Sequence, residues 1–196
     1  MTIPPSTAPC WSDLESDAKR FHLLRTAGEV FARDGLDAPM PAIAAAAGAG
    51  IGSVYRQFPS KNDLLAALVV ERLETVTEEA DAALADARGP WAALTALLWA
   101  LAERQAADDV LAEAVETVSE QQDVQEAMAA TIASLERLLD AAREGGRLRP
   151  DATALDLRLV LAATRAARRL EPGAWRRMLQ LGIDALDADA SRPPGR

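Results

Sequence analysis

Residues 38–65 read APMPAIAAAAGAGIGSVYRQFPSKNDLL. An apolar segment barely two helical turns long, Ile43 with the alanines after it, runs into Gly48 and Gly50, whose permissive backbones suit a tight turn between helices. A second short helix follows, in which Val54 and Phe58, four residues apart, share one face. Burying that face leaves Ser53, Arg56 and Gln57 on the remaining surface. At Ser60 a longer helix begins, with Asp63 three residues on as the reciprocal half of a capping box. Short helix, glycine turn, short helix and restart make a helix-turn-helix.

Local charge gives this stretch a DNA-facing character. The chain carries 30 acidic residues, yet none lies between Ala38 and Asn62, and the two charges there, Arg56 and Lys61, are both positive. A surface that meets phosphate has this composition. Lys61 falls in the first turn of its helix, where the macrodipole disfavours a cation by a few tenths of a kcal/mol. A nearby phosphate would reverse that sign, although a merely solvated lysine accounts for the residue equally well.

Composition bounds the rest. A chain of 196 residues with 49% apolar and only 4% aromatic content, rich in alanine and leucine, reads as all-α with an ample core. The net charge of −9 is unevenly spread: residues 1–65 hold 6 basic and 7 acidic groups, the remainder 15 and 23. DNA binding is therefore expected to rest on local contacts rather than long-range attraction. One cysteine, Cys10, and one histidine, His22, provide neither an intrachain disulfide nor a Cys/His metal set, so no cofactor or metal is expected. No basic segment leads into an apolar one at MTIPPSTAPC, and no apolar run spans a bilayer; the expectation is a soluble cytoplasmic protein.

Taken in order, residues 1–11 read as a disordered tail rich in proline, serine and threonine. No cation there argues for an arm on DNA. A first helix is expected from Ser12, capped with Glu15, to Gly35, burying Leu14, Ala18, Phe21, Leu24, Gly28 and Phe31, with His22 exposed beside them. The helix from Ser60 continues through Leu64, Leu65, Leu68, Val69 and Leu73 towards Ala87. Gly89-Pro90 opens another, apolar around most of its circumference. A short helix within 108–125, a long one over about 124–144 and two last helices over about 152–170 and 173–186 complete the chain, before a loose tail at 188–196.

The run AxxxFxxxG at Ala27, Phe31 and Gly35, then IAxxAG at Ile43–Gly48, then GSVYRQFPSKNDLL at Gly52–Leu65 resembles the DNA-binding domain of the TetR family, whose consensus runs close to AGVSxGTLYxHFxSKxxLL. The likeness covers roughly Leu14 to Leu68 and is specific, since glycine, tyrosine, phenylalanine, the Ser-Lys pair and the leucines fall in register. It implies a helix-turn-helix domain at 12–66 and a helical effector-binding and dimerisation domain at 67–187. Tyr55 and Lys61 match positions that grip phosphate, and Ser53 matches a threonine that touches phosphate or a base edge. Gln57 stands where histidine is commoner, and Arg56 at a variable position able to reach a base, where a bidentate pairing with guanine is natural. Ile51 and Gly52 complete the expected DNA-facing set. Ala49, Gly50, Pro39, Met40 and Pro41 depart from the pattern, removing hydroxyl contacts, so fewer polar base contacts than usual are expected.

The resemblance implies a ligand-responsive repressor that binds a palindromic, double-stranded DNA operator as a homodimer. Dimerisation also follows from geometry, because one short helix reads too few bases to select a site. Trp91, Leu94, Leu98, Trp99, Met128 and Ile132 are candidates to line an apolar effector pocket; core packing explains the same residues. Leu155, Leu159, Ala162 and Ala166, with Trp175, Met178, Leu179 and Ile183, are candidates for a four-helix dimer interface, and intrachain core is the competing reading. The alternative function is a small-molecule or partner-binding helical module with a weakened reading head. An enzyme is not expected, since no nucleophile pair, phosphate loop or metal spacing is present.

Overall fold

The computed structural model describes Trp11, residues 15–105 and residues 109–189. Ser12 and Leu14, hence the expected Ser12–Glu15 capping box, lie outside the described residues, as do the tails at 1–10 and 190–196. Among the described residues the chain is helical, with one isolated β-bridge. Two compact units form, one of residues up to Val69 with Val110–Ser119, the other of Val70–Asp109 with the residues from Glu120. The division falls within a helix.

In the first unit, α1 (Ser16–Asp34) ends at Gly35, whose φ of 80° is the left-handed conformation that favours glycine. Its buried face is Leu23, Leu24, Ala27, Val30 and Phe31. Phe21 is 60% exposed and Ala18 is exposed, which corrects the expected stripe. At about 100° per residue these two lie on the side of the helix away from Ala27. Helices α2 (Met40–Ala46) and α3 (Ile51–Gln57) pack against each other, and α1 packs on α2. The turn between them uses Gly48 at φ 63°, and Ala49 N–H donates to the Ala44 carbonyl at 2.9 Å. Gly50, with φ −68°, is an ordinary extended N-cap, so only one of the two glycines supplies special backbone freedom. Val54 and Phe58 are buried as their spacing predicts.

Helix α4 (Lys61–Ala83) starts with the expected box: Asp63 Oδ2 accepts from Ser60 N–H at 2.8 Å, and Ser60 Oγ accepts from Asp63 N–H at 3.1 Å. It stops at Ala83, short of Ala87. Helix α6 (Asp109–Val118) belongs from Val110 onward to the first unit, with Ala114 and Val118 buried.

The second unit is built on α5 (Pro90–Gln105), which packs against α7 (Gln122–Glu144), α8 (Ala154–Ala167) and α9 (Ala174–Leu186). Its core joins Leu94, Leu98, Leu138, Leu139, Leu157 and Leu179, each at most 1% exposed. Thr131 of α7 is also buried; its hydroxyl lies 2.9 Å from that of Thr77 and bonds the Leu73 carbonyl at 3.1 Å, tying α7 to α4. A capping box not anticipated from the sequence begins α8, where Asp156 accepts from the Thr153 N–H at 2.8 Å. The segment after α7 pairs with the end of α9 through the Leu148–Asp187 bridge, with Arg149 N–H donating to the Leu186 carbonyl at 3.0 Å.

Candidate nucleic-acid interface

Burying Val54 and Phe58 turns the rest of α3 outward. Ile51 is 41% and Tyr55 46% exposed, Gly52 and Arg56 are exposed, and Ser53 and Gln57 are half-buried. All six lie on one seven-residue helix, and Lys61 opens the helix that follows. The Lys61 ammonium sits 5.8 Å from the centre of the buried Phe31 ring, which anchors its stem against the first unit's core. Arg56 folds back along its own helix, Nη2 donating to Ser53 Oγ at 2.8 Å. Reaching a base edge would exchange that bond for one to DNA. Met40, counted among the departures near DNA, is instead a buried core residue.

The residues that hold α3 in place were not legible beforehand. Arg20 of α1 lays its guanidinium 4.4 Å from the Phe58 ring centre and donates Nη1 to the Gln57 carbonyl at 3.4 Å, so a cation meets the C-terminal end of α3. His22, expected to be exposed, is half-buried, with Nε2 3.2 Å from the Ala47 carbonyl at the end of α2. A carbonyl only accepts, so Nε2 carries the proton. Both residues lie on α1, outside the stretch 38–65 whose spacing defines the motif, so no local pattern pointed to them.

The candidate effector residues are packed. Leu94 and Leu98 are core, Trp91, Trp99 and Ile132 lean on that core, and the half-buried Met128 stands outside it. Trp99 meets Trp175 edge to face at 6.0 Å. A groove of about 350 Å³ lies elsewhere, between α4 and α5, lined by Glu79, Ala82, Ala83, Asp86, Ala93, Ala96, Leu97 and Ala100. At its rim the Arg88 guanidinium, then its backbone N–H, bonds Asp86 and holds that carboxyl down to about 2.

The candidate dimer residues divide. Leu155 and Leu159 are each 58% exposed, and Ala162 and Ala166 continue the same exposed stripe of α8. Trp175, Leu179 and Ile183 are at most 7% exposed within the protomer core, because that face of α9 turns toward α5 and α8. The exposed face of α9 carries Arg176, Arg177, Gln180 and Asp184 with the apolar Leu181, and Met178 is half-buried. Close approach of the two helices depends on Gly182, where a Cβ would lie 2.5 Å from Val160 Cγ1.

Comparison with known proteins accords with this geometry. A sequence model of bacterial regulatory proteins of the tetR family matches residues 23–68, and one of the C-terminal domain of SbtR-like transcriptional regulators matches residues 89–188. A TetR transcription regulatory protein from Mycobacterium vanbaalenii is 31% identical, with 86% of this chain and 95% of that one aligned at a TM-score of 0.64. A TetR transcriptional regulator from Streptomyces coelicolor is 28% identical over 86% and 98% of the two chains, also at 0.64. SmeT, the repressor of the Stenotrophomonas maltophilia multidrug efflux pump SmeDEF, shares the fold at 24% identity, covering 95% and 96% of the chains at 0.64. No curated protein matches the chain. The chain belongs to the TetR family, whose members are DNA-binding transcription regulators rather than enzymes. Among the described residues no helix is long and apolar enough to cross a membrane.

Proposed function

We propose that this protein is a cytoplasmic, ligand-responsive repressor that binds a near-palindromic operator as a homodimer. The observation carrying this reading is the outward face of α3, where Tyr55, Arg56 and the partly exposed Ser53 and Gln57 stand in a stretch, Ala38 to Asn62, free of carboxylates. Tyr55, Ser53 and Lys61 take phosphate oxygens, and Arg56 leaves Ser53 to pair with a guanine edge. The exposed stripe of Leu155, Leu159, Ala162 and Ala166, with Met178 and Leu181 beside it, supports pairing with a second copy. A small molecule held by the second unit releases the operator.

Selection of fragments from random and genomic DNA by the purified chain tests the reading. At about physiological salt a two-fold-symmetric motif bound at roughly 10⁻⁸–10⁻¹¹ M is expected. Weak, salt-sensitive binding without enrichment of any motif would sink it and favour a helical module with a weakened reading head.

A further inference from the structure

Beside the recognition helix lies a groove of about 260 Å³, lined on one side by Ser53, Arg56 and Gln57 of the DNA-facing set and on the other by Trp11, Ser16 and Lys19, to which no role has been given above. Its lining brings together two cations, two hydroxyls and an amide, and among the described residues no carboxylate lines it. Glu15 and Asp17, the acids flanking Ser16, are exposed outside it. A chain with net charge −9 thus gathers positive charge and hydrogen-bond donors at one small concave place beside its reading helix.

Trp11 fixes the geometry of the outer wall. Its ring centre lies 6.2 Å from that of His22, and His22 in turn bonds the Ala47 carbonyl that closes α2. Lys19 places its ammonium 6.0 Å from the Trp11 ring. The indole thus lies against two side chains of α1, His22 and Lys19, and Lys19 shares the groove with Arg56 of α3. Residues 1–11 carry no cation, which argued against an arm on DNA. What Trp11 supplies is the placement of a cation from α1.

We propose that this groove is a phosphate site for operator DNA, in which Lys19 contacts the backbone phosphate beside α3, Ser16 adds a hydroxyl donor, and Trp11 is a positioning residue. The proposal rests on the DNA-binding reading and deepens it. Its occupant is a phosphodiester because the lining offers two cations and two hydroxyls with no carboxylate among the described residues.

The test measures affinity for the selected operator and for an unrelated duplex across a salt series, using the full chain and its Lys19→Ala, Trp11→Ala, Trp11→Phe and Lys61→Ala variants. Lys19→Ala is expected to weaken both duplexes by the same factor and to make the slope of log K against log salt shallower by roughly 0.9 for each bound protomer. Trp11→Ala is expected to follow Lys19→Ala, and Trp11→Phe to restore most of the slope, which a general loss of stability would not do. An unchanged slope for Lys19→Ala, while Lys61→Ala flattens it, overturns this proposal and leaves the DNA-binding reading standing. Absence of binding by the unaltered chain to any duplex overturns both.

Discussion

Arg20 and Phe58 meet across the first unit, the guanidinium carbon of one 4.4 Å from the ring centre of the other, at the point where α3 ends. The same guanidinium donates to the Gln57 carbonyl, so one side chain of α1 satisfies a terminal acceptor of α3 and covers its anchoring ring. The helix has seven residues and no side-chain N-cap, so its orientation comes from contacts such as this one. Arg20→Ala is expected to cost about 0.5–1 kcal/mol of stability and to speed amide exchange at Phe58. Unchanged exchange there would show that α3 is held without Arg20.

Arg56 and Lys61 separate reading from gripping. Arg56→Ala is expected to relax preference at one base pair of each half-site, at about 1–3 kcal/mol per half-site, while Lys61→Ala weakens all duplexes alike. Competition binding with single-base operator variants distinguishes them. If the two substitutions lower affinity uniformly and equally, Arg56 does not read a base.

Asp86 gives a pH signature with a definite sign. Hydrogen bonds from Arg88 hold its folded carboxyl at about 2, below the ordinary value of about 3.9. A depressed folded value means that the interaction is fully present above the ordinary value and is lost as pH falls through about 2. Arg88→Ala is expected to return the Asp86 midpoint towards the ordinary carboxylate range, read by carboxyl-carbon NMR titration. Any stability difference between the two proteins is expected above about pH 4 and should vanish near pH 2. A midpoint that stays put in Arg88→Ala would assign the shift elsewhere.

Patterns confined to neighbours were legible in the sequence. Val54 and Phe58, the Ser60–Asp63 box and the Gly89-Pro90 break each follow from residues four or fewer apart, and the structure shows them. Contacts made across the chain were not. His22 reads as exposed until the end of α2 is brought to it, and Phe21 reads as buried until the packed face of α1 is known to centre near Ala27. The same limit governs α9, where an apolar face shows that something covers it without saying whether a neighbour helix or a second copy does. Trp175, Leu179 and Ile183 are covered by their own chain.

Helices α8 and α9 present two kinds of contact that substitution can tell apart. Leu159 is 58% exposed, so a charge there meets water in the protomer and clashes only when a second copy covers it. Leu159→Glu is therefore expected to give a folded monomer by sedimentation, with helix content retained by circular dichroism. Gly182 lies inside the pair, where an added Cβ would come within 2.5 Å of Val160 Cγ1 and 3.2 Å of its Cβ. A β-branched side chain has little freedom to yield, so α8 and α9 must separate, at about 1–3 kcal/mol. Gly182→Ala is thus expected to lower the denaturation midpoint of the protomer itself, including in the Leu159→Glu background, where no dimer remains to be disturbed. If Leu159→Glu stays dimeric, the exposed stripe of α8 is not the interface; if Gly182→Ala loses stability only when the chain is dimeric, the close approach belongs between copies rather than within one.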